Sequence, residues 1–165
     1  MSAPHTAAAH QAATLAGSDI DTLALLLGGA YPPGIYRFAD REAAPYVLRR
    51  VRRQGWFGWH LNGRAIEDKA AFLAASARAL RFPAYFGRNW DAFEECITDL
   101  SWLPAPGYVL LYEAPNHFAA AQPHAWQTAL AVLGNAVSYW RDKDVPFYVL
   151  LRKSGGAAPD LPLLV

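Results

Sequence analysis

The chain is poor in sulfur, in net charge and in long apolar runs. Its 165 residues include one cysteine, Cys96, and one methionine. A lone cysteine excludes an intramolecular disulfide and agrees with a reducing compartment. No Cys/His spacing suited to zinc is present. His60, His117 and His124 are scattered, and the spacing of His5 and His10 defines no site. The formal net charge is +1, so bulk charge implies neither a nucleic acid nor a membrane surface as partner. No apolar run approaches the roughly 20 residues that a bilayer span needs. The N-terminus lacks the basic start and apolar run of a secretory signal, so a cytoplasmic protein is expected. Gly28-Gly29 and Gly155-Gly156 lack the rest of any phosphate-binding motif. From these absences we expect no catalytic residues, no metal, no cofactor and no small-molecule substrate.

Apolar residues are abundant instead. They make up 53% of the chain, against 18% charged, enough for one domain with a real core and no covalent staple. Strand patterns fall at residues 35–38, 56–61, 108–112 and 147–151, the last two being continuous apolar runs of the kind buried in parallel sheets. Helix patterns fall at 40–54, with Asp40 as cap or a start nearer Ala44 because of Pro45, then from Glu67 or Asp68 to Leu80, from Asn89 for about eleven residues, and over 123–141. Strands separated by helices predict an α/β fold with a small parallel β-sheet covered by helices: three core strands, with room for one extra. The expected divisions are a disordered segment at 1–18, an N-terminal extension packed on the core at 19–55, the main domain at 56–152 and a flexible tail at 153–165.

Two helices carry charge on one face. Over 40–54, Arg49, Arg50, Arg52 and Arg53 oppose Ala44, Val47, Leu48 and Val51. A basic amphipathic helix can bind nucleic acid, but no aromatic side chain lies among these arginines for base stacking. A solvated face is the plainer reading. In the helix after Asn89, Glu94, Glu95, Thr98 and Asp99 fall within about 80° of Asp91 on a wheel, while Phe93, Cys96, Ile97 and Leu100 fall opposite. Cys96 is therefore expected to be a buried structural thiol. Between residues 85 and 102 the four carboxylates meet one cation, Arg88, so the net charge there is −3 in a chain of +1. Such a face is either plain solvated surface or a fixed anionic surface for a cationic partner.

Residues 83–97, PAYFGRNWDAFEECI, resemble the signature of the barstar family of ribonuclease inhibitors: a Pro, an aromatic pair, Gly, any residue, Asn, an apolar residue, Asp and Ala. The order of elements over 56–152 is also similar, so the resemblance implies a barstar-like domain there. In that family a loop and acidic helix plug the active site of a small microbial ribonuclease, and carboxylates take the place of substrate phosphates. The resemblance implies an antitoxin or immunity role, with a secreted-type or toxin ribonuclease as partner and no direct contact with nucleic acid or membrane. It places Tyr85, Asn89, Asp91 and Glu95 at contact positions. Glu94, Asp99 and Trp102 complete the expected partner-binding set. Glu95 stands where Asp is usual, Trp102 comes two residues late, with Pro104 and Pro106 lengthening the loop, and Ser138 stands where the barnase inhibitor has an acid. The alternatives are a nucleic-acid-binding or regulatory module built on Arg49 to Arg53, and an acidic scaffold for another basic protein.

Overall fold

The computed structural model describes residues 20–165, so the expectation of disorder at 1–18 lies outside the described residues. The described residues divide into two units, 20–31 and 32–165. In the first, helix α1 (Thr22–Leu27) is capped by Asp21, whose Oδ1 accepts from the Ala24 amide at 3.0 Å, and it stops at Gly28. The second unit holds the rest: β1 (Ile35–Phe38), α2 (Ala44–Arg53), β2 (Phe57–Asn62), a 3₁₀ turn (Gly63–Ala65), α3 (Lys69–Ala79), α4 (Trp90–Ile97), β3 (Tyr108–Glu113), α5 (Asn116–Ala121), α6 (Pro123–Asp142), β4 (Phe147–Arg152) and β5 (Leu163–Leu164).

The five strands form one sheet in the order β2-β3-β4-β1-β5, and every neighbouring pair is parallel. Alternation along each strand sends side chains to two faces. Trp59 and Leu61 of β2, Tyr108, Leu110 and Tyr112 of β3, and Phe147, Val149 and Leu151 of β4 enter the main core with Phe72, Phe93, Phe118, Trp126 and Leu133 from α3 to α6. The other face of β2 receives α2. A methyl group on Gly58 would come within 3.0 Å of Val51 and 3.1 Å of Leu48, so the absent side chain lets that helix approach closely. The acidic helix α4 and the arginine-bearing helix α2 thus belong to opposite layers of the sheet.

Local chemistry sets the boundaries. Asp68 caps α3 by accepting from the Ala71 amide at 2.7 Å. Asn62-Gly63 ends β2: Asn62 accepts from the Arg64 amide at 3.2 Å, and a Cβ on Gly63 would lie 2.2 Å from the carbonyl oxygens of Glu113 and Ala114. The start of α2 falls at the later of the two expected positions, while the end of α4 and the number of strands differ from the sequence pattern. Helix α2 starts at Ala44 with Ala43 as its uncapped N-cap and Pro45 in the first turn, where a missing N–H costs nothing. Asp40 instead accepts from the Glu42 amide at 2.6 Å. Helix α4 ends at Ile97, and Thr98 donates its hydroxyl back to the Glu94 carbonyl at 2.7 Å. Asp99 therefore follows the helix, in the turn that Leu100 completes at φ 45°. The sheet has five strands rather than three or four.

Residues 153–165, expected as a flexible tail, carry the fifth strand. The Arg37 and Ala39 amides donate to the carbonyls of Pro162 (2.8 Å) and Leu164 (2.9 Å). Ala157 and Ala158 are buried, and the Trp126 indole donates to the Ala157 carbonyl at 2.8 Å. Backbone pairing, the Trp126 indole and the Arg37 Nε–H, which donates to the Leu161 carbonyl at 2.8 Å, hold this segment, and none of these leaves a periodic side-chain signal. No helix among the described residues is long and apolar enough to cross a membrane.

Candidate functional site

The acidic helix is short, and its neighbours hold it in place. Asn89 caps it by accepting from the Ala92 amide at 2.8 Å. At its other end, the Trp140 indole of α6 donates to the Ile97 carbonyl at 2.9 Å, satisfying one of the carbonyls that a helix C-terminus leaves unpaired. Phe93 and Ile97 anchor its inner face in the core. Cys96 is also buried there. Burial pushes its thiol pKa up, and the charges of Asp99 and Glu95 push it the same way, so the group stays a protonated, unreactive thiol.

The outer face is carboxylate. Asp91 and Glu95 are exposed one turn apart, and Glu94 lies between them, half-buried. Together with Thr98 they form one open polar face. Asp91, in the first turn, is favoured by the helix dipole. The i,i+3 and i,i+4 carboxylate pairs repel, each by about 0.2–0.5 kcal/mol. Among the described residues, none of Asp91, Glu94, Glu95 and Asp99 forms an ion pair. Glu94 has one polar partner from another helix: Asn135 of α6 donates its Nδ2 to Glu94 Oε1 at 2.9 Å.

The preceding loop presents the aromatic residues unequally. Tyr85 is 77% exposed, whereas the other aromatic side chains of the loop, Phe82 and Phe86, are half-buried. Behind it Phe82 packs edge-on to Phe86 at 5.0 Å and to Trp102 at 6.2 Å. The Trp102 indole donates to the Leu80 carbonyl at 2.8 Å. That bond and the packing leave Trp102 half-buried, as a support for the loop with only part of its ring open. Arg88 is exposed at φ 54°, directly before the cap.

The structure therefore brings Asp91, Glu94 and Glu95 together on one ridge with Asn89 at its head and Tyr85 on the adjoining loop. Asp99 and Trp102 lie beyond the helix. Asn135 carried no sequence signal for this contact, since it is 41 positions from Glu94, and with Gly134 it reads only as a weak point in the helix pattern of α6. Ser138, one turn further along α6, is exposed. Among the described residues no group of three or more His, Cys, Asp or Glu side chains is placed to hold a metal ion.

Comparison with known proteins bears on this surface. A family model described as Barstar (barnase inhibitor) matches residues 56–152. A search of curated proteins finds no match. Among solved structures, the ORC2 protein of Aeropyrum pernix, in its ADPNP-ADP complexes, is similar at a TM-score of 0.53 and 16% identity. The alignment covers 87% of this chain and 40% of that one, so the chain spans less than half the length of that protein. At this identity the likeness is one of α/β fold alone. The family match, in contrast, takes in more than half of the chain, from the residue before β2 to the last residue of β4, with the capped acidic helix inside it: the chain belongs to the barstar (barnase inhibitor) family.

Proposed function

We propose that this protein inhibits a barnase-type ribonuclease by plugging its cationic active site with the loop before α4 and the outer face of that helix. The partner would be a secreted or toxin ribonuclease, and the inhibitor would serve as its cytoplasmic antitoxin or immunity protein. It acts by occlusion, with no chemistry of its own and no cofactor. One observation carries this reading: Asp91, Glu94 and Glu95 stand on a helix held at both ends, and no cation within the described residues neutralises them. A cleft that binds RNA phosphates presents Arg, Lys and His, and fixed carboxylates can meet these in charge-assisted hydrogen bonds. Rigidity matters because side chains already held in place lose less entropy on binding. Tyr85 adds an exposed aromatic at the edge of the acids, a residue type enriched at the energetic centres of interfaces.

The test is complex formation between the full chain and a barnase-type ribonuclease, measured by calorimetry and by protection of an RNA substrate. Asp91→Ala combined with Glu95→Ala should abolish both. A verified complex that this double variant leaves intact would overturn the assignment of α4 as the plug.

A second reading has its own observation. Tyr46 is 54% exposed on α2, and the Arg49 guanidinium lies 5.2 Å above its ring. The aromatic partner missing among the arginines is thus supplied from one turn earlier. With Arg52 and Arg53 this makes a basic surface with a stacking face, a combination suited to single-stranded RNA. Salt-dependent RNA binding, lost in Tyr46→Ala with Arg49→Ala, would favour this reading. Its place in the opposite layer to α4 keeps these cations from opposing a cationic target at the acidic face.

A further inference from the structure

Polar side chains form a row across the carboxyl ends of the strands. His60 lies near the end of β2, Glu113 ends β3 and Arg152 ends β4, with Glu113 and Arg152 in register. Asp40 follows β1. Arg152 is 5% exposed. Its Nη1 donates to the carbonyls of Asp40 (3.2 Å) and Glu42 (2.5 Å), and its Nη2 donates to Glu113 Oε1 at 2.6 Å. Its Nε–H is buried and has no partner among the described residues. A buried donor left unpaired is destabilising, so such a group calls for a water or a ligand.

Next to Arg152 opens a crevice of about 690 Å³ lined by residues 38–44 with Glu113, Arg152 and Lys153. Its size is that of a small-ligand site. Its position is equally specific. Strands β1 and β4 are neighbours, yet the chain leaves β1 for α2 on one face and leaves β4 for Ala157 and Ala158, which pack with the α3–α6 layer. This is a topological switch point, where open parallel sheets bind ligands beyond the carboxyl ends of their strands.

The charges in the crevice are unevenly committed. Glu42 Oε2 accepts from Arg50 at 2.9 Å, Glu113 is held by Arg152, and Asp40 accepts from the Glu42 amide. At the mouth, Arg41 is exposed, and Lys153 is 66% exposed with its Nζ 3.8 Å from Glu113. We propose that this crevice binds the oxyanion group of a small molecule, a phosphate or a carboxylate, which accepts from Arg152 Nε–H and is drawn in by Arg41 and Lys153. The site is independent of the α4 surface.

The full chain, labelled with ¹⁵N at its arginines, tests this by NMR titration with sodium phosphate and, separately, sodium acetate, each at ionic strength matched with sodium chloride. The Arg152 Nε–H resonance should move saturably with at least one of them. Response to phosphate alone assigns a phosphate group, and response to acetate alone a carboxylate. Arg41→Ala combined with Lys153→Ala, both at exposed positions, should weaken the apparent affinity by about tenfold or more, while Asp91→Asn with Glu95→Gln should leave it unchanged. A resonance indifferent to both salts, an ordered water being its sole partner, would overturn the proposal. So would a shift that the double cation variant leaves intact.

Discussion

Glu95 and Asp91 face the same solvent, but they differ in reach. Asp91 is short, sits in the first turn and is favoured there by the helix dipole. Glu95 is one methylene longer than the Asp that the family resemblance leads one to expect there, and among the described residues no side chain from another helix restrains it as Asn135 restrains Glu94. A carboxylate that extends further meets a cation set deeper in the partner's cleft, or overshoots one set for Asp. Each charge-assisted bond to such a cation is worth about 1.5–3 kcal/mol, or roughly tenfold to 150-fold in affinity. Glu95→Ala should therefore weaken the complex with the cognate ribonuclease by at least about tenfold, as read by calorimetry. Glu95→Asp should weaken the cognate complex and strengthen the one with barnase itself. If Glu95→Asp leaves both affinities unchanged, the extra methylene plays no part in the choice of target.

The helices and strands show which features local chemistry encodes and which it does not. Caps were legible: Asn89 and Asp68 bond amides three residues away, so both donor and acceptor lie within one turn of sequence. The buried strands β3 and β4 were legible as apolar runs. The Trp140 bond to Ile97, the Asn135 bond to Glu94 and strand β5 join positions 41 or more residues apart, and no periodicity reports them. Asp40 read as a cap because it is the acid just before a helical pattern, yet its carboxylate turns to Glu42 beside Arg152. Trp140→Phe would remove the indole donor together with part of the ring that packs against Tyr108 and Tyr139. It should cost about 1–3 kcal/mol in urea unfolding and weaken ribonuclease binding beyond what a surface change would, since the C-terminal end of α4 loses its restraint.

The ends of β3 and β4 carry a pH dependence. Burial raises the Glu113 pKa, but the hydrogen bond and charge of Arg152, then His60 and Lys153, outweigh it and hold the carboxyl below its ordinary value of 4.5. A carboxyl with a depressed folded-state pKa stabilises the fold above its unfolded value, and that contribution is lost as pH falls through the folded one. Stability should thus decline below about pH 4.5 in part through this group. In Glu113→Gln, which keeps an acceptor for Arg152, urea midpoints should fall less between pH 5 and pH 3 than in the unaltered chain. An equal fall in both would show that Glu113 contributes nothing to the acid limb.

At the scale of the whole molecule, a net charge of +1 conceals two surfaces of opposite sign in opposite layers of the sheet. Judged by net charge, the chain should be weakly repelled by a cationic ribonuclease. Judged by its acidic ridge, it should be attracted. The screening length decides between them: it is about 10 Å at 0.1 M salt, and the whole sheet lies between the two charged helices. A partner approaching α4 therefore feels Asp91, Glu94 and Glu95 and little of Arg49, Arg52 or Arg53. The association rate should fall as salt rises, the signature of opposite charges steering an encounter. Removing the three arginines should raise that rate only slightly at 0.1 M salt and more clearly at about 0.01 M, where screening extends to about 30 Å. Stopped-flow association of the full chain with the proposed ribonuclease partner at these two salt concentrations checks both statements. A rate that rises with salt in the unaltered chain would show that net charge governs the encounter and that the ridge does not steer it.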